Sequence, residues 1–123
     1  MHNILIIEDH PAIRTGYRKL ISREPDLTVC GEAASGPQAL DMLKTIQPDI
    51  ILLDIFLPGM NGLEVLRHLH KLYPWLPVLV ISGDDSDKHA ALAQHLGAVR
   101  YMSKSRVAEV LTDAIHSILN TRS

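Results

Sequence analysis

Ile50-Ile51-Leu52-Leu53-Asp54 is the stretch on which the fold turns: four unbroken aliphatic residues closed by a carboxylate, with Leu57-Pro58-Gly59-Met60-Asn61-Gly62 following as a turn. A strand with one wet face alternates polar and apolar residues, whereas a parallel strand covered on both faces runs apolar throughout. The same grammar recurs outward from this point. Ile4-Leu5-Ile6-Ile7 gives way to Glu8-Asp9, Val78-Leu79-Val80-Ile81 to Ser82, and the weaker run Val99 to Met102 to Ser103-Lys104. A carboxylate is costly to bury alone, so four runs that each end in polar residues point to one site assembled from several strand ends.

Segments with helical spacing lie between these runs. Ile13, Tyr17, Leu20 and Ile21 share one face, as do Ala39, Leu43 and Ile46, then Leu63, Leu66, Leu69 and Tyr73, then Val107, Val110, Leu111, Ala114 and Ile118. The Ala-rich segment from Asp87 to Leu96 is helical but weakly patterned. Breaks fall at Pro25-Asp26, Ser35-Gly36-Pro37, Gln47-Pro48-Asp49, Tyr73-Pro74 with Pro77, and Gly97, while Pro11, Pro37 and Asp87 are placed to open helices. Five strands, at about residues 3–7, 27–32, 50–54, 78–82 and 99–102, therefore alternate with five helices. The predicted class is α/β: a doubly wound (βα)5, flavodoxin-like three-layer sandwich whose parallel five-stranded sheet has the order 2-1-3-4-5. Ligands of such sheets bind beyond the carboxyl ends of the strands, at the switch between strands 1 and 3, where Glu8, Asp9 and Asp54 would converge with Ser82 and Lys104 beside them.

At 123 residues the chain is expected to form one domain, residues 1–123. It is 46% hydrophobic and 21% charged, and no stretch approaches the roughly 20 apolar residues that cross a bilayer. The first strand begins almost at once, without room for a secretory leader, so the expected location is cytoplasmic. One cysteine, Cys30, cannot form an internal disulfide and is expected to pack as a small hydrophobe. A net charge of −2 without a basic stripe argues against direct binding of nucleic acid.

Three carboxylates in one cleft repel one another and at neutral pH either share protons or hold a cation. An all-oxygen site with room for water suits Mg²⁺ better than zinc. Among the histidines, His68 and His70 point apart on their helix, and His2, His89, His95 and His116 have no evident ligand partners. A lysine opposite the metal adds a second positive charge, and Ser82 adds a hydroxyl. Phosphoryl transfer asks the protein for little beyond positioning and charge neutralisation, which Mg²⁺, Lys104 and Ser82 could share while Asp54 acts as the in-line nucleophile.

Along essentially its whole length the chain resembles the receiver domain of two-component response regulators. The matching residues are Glu8-Asp9, the strand-ending Asp54 with Pro58 and Gly62 after it, Ser82-Gly83, and Tyr101 three residues before Lys104. The opening Glu8-Asp9-His10-Pro11 with Arg14 and Gly16 resembles the NarL/FixJ-type subfamily more specifically. The resemblance implies that Asp54 accepts phosphate from a sensor histidine kinase, with self-catalysed phosphorylation and dephosphorylation. It implies that Glu8, Asp9, Asp54 and the Phe56 backbone carbonyl hold Mg²⁺, that Lys104 binds the phosphoryl group, and that Ser82 and Tyr101 form the conformational switch. Members of that subfamily carry a helix-turn-helix output domain, so the chain reads as a receiver excised from a longer parent in preference to a single-domain regulator. Two departures stand out. Ser105 follows the lysine where proline with a cis bond is common in the family, and Arg100 replaces a common glycine, so a trans or visibly strained Lys104-Ser105 bond is expected.

Blander readings exist for each residue. Asp54, Glu8 and Asp9 could each cap a helix, Ser82 could be a turn residue, and Tyr101 a half-buried strand aromatic. His10 is expected at the rim of the site, with shaping of the metal-site mouth as the alternative. Asp84, Asp85 and Asp87 suit the positive end of the following helix, and Asp84, two residues beyond Ser82, is the candidate for tuning attack of water on the acyl phosphate. The last helix is expected to be mostly core, with Val107 and Ile118 partly exposed and a modest share of its face left for partner contacts or a phosphorylation-dependent homodimer. A haloacid-dehalogenase-like phosphatase would need a second carboxylate where Phe56 stands. A flavodoxin-like flavin binder would need a phosphate-welcoming loop where Glu8-Asp9 would repel one. A degenerate, purely protein-binding receiver is opposed by the intact acidic pair, Asp54 and Lys104.

Overall fold

Aliphatic runs became strands and striped segments became helices in a computed structural model that describes residues 1–57, 61–83 and 87–121. The elements alternate as β1 (His2–Ile7), α1 (Pro11–Ser22), β2 (Leu27–Ala33), α2 (Gly36–Met42), β3 (Ile50–Asp54), α3 (Gly62–Leu72), β4 (Val78–Ser82), α4 (Asp87–His95), β5 (Arg100–Ser103) and α5 (Val107–Asn120), with a short 3-10 turn, Lys104–Arg106, leading into α5. All strand pairs are parallel, in the order β2-β1-β3-β4-β5. Successive residues of a strand point to opposite faces, so each run feeds two cores. Leu5, Ile7, Ile51, Leu53, Val78 and Val80 pack under α2, α3 and α4. Ile4, Ile6, Ile50, Leu52, Leu79 and Ile81 pack under α1 and α5.

Local chemistry fixes several helix starts. Pro11 opens α1, where its missing N–H costs nothing. Ser35 caps α2 by accepting from the Gln38 N–H, and the Gln38 side-chain oxygen in turn accepts the Ala34 N–H, a capping-box-like pair shifted by one residue. Asn61 caps α3 through the Leu63 N–H at 2.7 Å. Gly97, after α4, has φ +112° and lies against the His70 ring, a position that any other residue would strain. Strand β2 carries one irregularity: Ile4 pairs with Val29 and Leu5 with Gly31, so Cys30 is an inserted residue.

Four expectations needed correction. Helix α2 stops at Met42, and Leu43 to Ile46 continue as turns closed by Thr45 and Ile46 N–H bonds to the Met42 carbonyl, which keeps the apolar spacing without a helix. Val107 and Ile118 are buried, at 5% and 2% exposure, because the Tyr17–Ile21 face of α1 packs in the same core. Strand β5 is displaced by one residue from the expected 99–102, leaving Val99 exposed outside it. Cys30 is half-buried, and burial still raises its thiol pKa.

Candidate functional site

Register gathers the site. Ile7 pairs with Leu53, so Glu8, the next residue after β1, stands level with Asp54 at the end of β3. Asp54 pairs with Ile81 and Ser82 with Ser103, which carries Ser82 and Lys104 to the same edge. Among the described residues the buried polar side chains besides Tyr17 are Glu8 at 0%, Asp54 at 3% and Ser82 at 0%, and all three lie at this carboxyl edge. Buried polar groups are expensive unless satisfied, so their convergence is an organised feature of the fold.

Asp54 is held at both oxygens: Oδ1 accepts the Phe56 backbone N–H at 3.1 Å, and Oδ2 accepts from Lys104 Nζ at 3.2 Å. The same ammonium lies 3.5 Å from Glu8 Oε1. One cation is therefore shared by two buried carboxylates. Burial, reinforced by the adjacent Asp54 carboxyl, pushes Glu8 up to about 7 against the opposing pull of Lys104 and His10. Glu8 Oε2 and Asp9 Oδ1 are buried without a hydrogen-bond partner among the described residues. Carboxylate oxygens left bare beside a charge deficit of this kind fit a hard divalent cation, which takes oxygen ligands and keeps several waters.

His10 is exposed, as a residue at the rim would be, and turns its ring toward the acidic pair. Its Nδ1 is 3.2 Å from Glu8 Oε1 and 3.2 Å from Asp9 Oδ1. Glu8, Asp9 and His10 each offer a donor atom within 4.8 Å of the others, whereas Asp54 turns its Oδ2 to Lys104. Of the other expected site residues, Ser82 ends β4 and Tyr101 is a half-buried residue of β5 that packs against the α2–α4 core. Phe56 is exposed beside Asp54 and meets the His89 ring of α4 edge-on at 5.9 Å. Asp84, like Pro58 to Met60 and Asp85, lies outside the described residues.

The supporting roles of four residues, Arg14, Arg18, Tyr17 and Gly62, were not read from the sequence. Arg14 donates to the Glu8 carbonyl at 2.6 Å and pairs with Glu32 at 3.3 Å, while Arg18 grips Glu32 with bonds of 2.8 and 2.7 Å. Helix α1 thus clamps the backbone that presents Glu8; an arginine one turn past an acidic pair was the only available signal. Tyr17, read as core, is buried with a hydroxyl that has no hydrogen-bond partner among the described residues, and burial together with the charges of Glu8 and Asp54 raises its pKa. Gly62 is required because a Cβ there would fall 2.2 Å from the Ile55 Cα, next to Asp54. The loop bearing Lys104 is ordinary in geometry: Ser103 Oγ accepts the Ser105 N–H at 3.3 Å, and the peptide bonds of the described residues are all trans.

Residues 4–116 match the response regulator receiver domain family. The chain belongs to that family. The nitrate/nitrite response regulator protein NarL of Escherichia coli K12 is 42% identical over 92% of the receiver, a region that covers 52% of NarL itself. The transcriptional regulatory protein DegU of Brevibacillus brevis is 34% identical over 91% of the receiver and 48% of DegU. Among solved structures, a LuxR-family two-component response regulator from Aurantimonas sp. SI85-9A1 superposes with a TM-score of 0.93 at 34% identity, covering 99% of the receiver and 87% of that chain. The receiver spans about half the length of these regulators from sequence comparison. No helix among its described residues is long and apolar enough to cross a membrane.

Proposed function

We propose that Asp54 accepts a phosphoryl group from the phosphohistidine of a sensor histidine kinase. An Asp54 oxygen attacks phosphorus as the P–N bond breaks, the imidazole leaves with the bonding pair, and an acyl phosphate remains on Asp54. The observation that carries this is the Lys104 ammonium shared by two buried carboxylates, Asp54 at 3.2 Å and Glu8 at 3.5 Å. Lys104 neutralises charge on the phosphoryl oxygens, Ser82 donates a hydrogen bond to one of them, and the Phe56 N–H orients the nucleophile. Glu8, Asp9, Asp54 and the Phe56 carbonyl would hold Mg²⁺, which when bound supplies the remaining positive charge. The two orphaned oxygens of Glu8 and Asp9 support that assignment.

Phosphorylation draws Lys104 and Ser82 toward the new anion and shifts a pre-existing equilibrium in which Tyr101 moves inward, altering the β4–α4 and β5–α5 surfaces. Asp84 tunes hydrolysis of the acyl phosphate, and unchanged dephosphorylation of Asp84→Ala would refute that role. The receiver acts in the cytoplasm as one piece of a longer regulator, its output surface controlling a helix-turn-helix domain and, when phosphorylated, a homodimer contact. The named regulators of about twice its length support the first part. Incubation with acetyl phosphate and Mg²⁺ should add the mass of one phosphoryl group to the parent and none to Asp54→Asn. Equal modification of both, or of neither, would overturn the assignment.

A further inference from the structure

We propose that His10 is a nitrogen ligand of the cation site, so that the site favours ions of borderline softness, such as Co²⁺, over Mg²⁺ by more than oxygen donors alone would give. This rests on the assignment of Glu8 and Asp9 as cation ligands. Three features of the structure single out the imidazole. Its Nδ1 hydrogen-bonds Glu8 Oε1 at 3.2 Å and lies 3.2 Å from Asp9 Oδ1. Donor atoms at bond lengths of about 2.1 Å occupy neighbouring corners of an octahedron roughly 3 Å apart, so the spacing is already that of adjacent ligands. His10 is the N-cap of α1, with φ −85° and ψ 114°, yet makes no side-chain capping bond, which leaves the ring uncommitted to the helix. Glu8 is wholly buried, and its Oε2 lacks a hydrogen-bond partner among the described residues, while the buried Asp9 Oδ1 makes no hydrogen bond there and meets the ring only as a 3.2 Å ion-pair contact. The outer side of His10 is exposed, which keeps corners open for water and phosphoryl oxygens.

Imidazole favours later first-row ions, whereas carboxylate, carbonyl and water suit Mg²⁺. The chain's other histidines could hold such ions adventitiously, so the test requires competition between ions. Untagged full-length chain is titrated with Co²⁺ by calorimetry and visible absorption, then with Mg²⁺, and the ability of each ion to displace the other is measured. The parent is expected to bind one Co²⁺ that excess Mg²⁺ displaces. His10→Ala, with His10→Asn as a variant that retains a polar N-cap, should lose roughly ten-fold or more in Co²⁺ affinity while Mg²⁺ affinity stays within about two-fold. A Co²⁺ to Mg²⁺ affinity ratio unchanged in both variants overturns the role of His10 and leaves the phosphoacceptor assignment intact. Failure of the parent to bind Mg²⁺ at all overturns both. Co²⁺ that Mg²⁺ cannot displace lies on other histidines and likewise refutes the proposal.

Discussion

At the carboxyl edge of the sheet Lys104 meets Asp54 and Glu8 out of solvent, whereas at the amino edge His116 of α5 meets Asp26 at 3.0 Å and Glu24 at 3.7 Å on an open surface. The ingredients match: two carboxylates and one nitrogen base, drawn from distant parts of the chain. Water separates the outcomes. An exposed ion pair gains little because solvent and salt screen it, while buried carboxylates must be compensated or must shift their protonation. The amino-edge contact fastens α5 to the α1–β2 turn at small cost. The carboxyl-edge cluster burdens the fold electrostatically, and buried, mutually perturbing carboxylates of this kind are where functional sites concentrate.

The largest effect should come from relieving that strain. Glu8 is raised to about 7, so the folded state favours its protonated form. The associated stability is fully present below the ordinary carboxylate range and is lost as pH rises through about 7. In chelator-treated protein, the unfolding free energy from urea titrations should therefore fall between pH 5 and 8 by roughly 1–3 kcal/mol, and Glu8→Gln should flatten the profile. A parent profile already flat over that interval would erase the contrast between the two edges. A smaller effect is expected at Tyr17, whose buried hydroxyl feels the same negative charges and has no hydrogen-bond partner among the described residues. Tyr17→Phe should raise stability by about 1 kcal/mol in urea denaturation, and a loss would show that the hydroxyl has found a donor or acceptor. The smallest belongs to the amino edge. The hydrogen bond from His116 holds Asp26 below its usual pKa, so its contribution is present above the ordinary aspartate range and disappears as pH falls through the lowered value. His116→Gln should cause a slight loss at low salt that high salt abolishes, measured by thermal melts; a large, salt-insensitive loss would place this contact in the same class as the buried one.

Much of this was legible in four aliphatic runs. Ile4–Ile7, Ile50–Leu53 and Val78–Ile81 declare strands covered on both sides, and once the strands are parallel the polar residues that end them must meet. Glu8, Asp9, Asp54, Ser82 and Lys104 are brought to one edge on that logic. Contacts decided by side-chain direction or by tertiary partners were not legible. Ile46 keeps helical spacing although the chain around it is a series of turns, because periodicity records which side is buried and not the hydrogen bonds that bury it. Val107 and Ile118 were expected to be partly exposed because nothing in their own helix announces the α1 side chains packed with them. His116 and Asp26 are 90 residues apart, and His10 could be placed next to the acidic pair but not aimed at it.

The inserted residue in β2 has a reach beyond its own strand. Cys30 packs against the α2 side, and Gly31 sits under Met42 and Ile46 on that same side, so two consecutive positions share a face and the inside–outside parity of the strand inverts. Glu32 consequently projects toward α1, where Arg14 and Arg18 receive it and Arg14 also steadies the Glu8 carbonyl. Strict alternation over the same seven residues would place Glu32 on the face opposite Leu27 and Val29, in the aliphatic layer beneath α2; the extra residue lets all three face α1. The phase of an edge strand, set by one extra amino acid, governs how firmly the adjoining end of the neighbouring strand holds its acid.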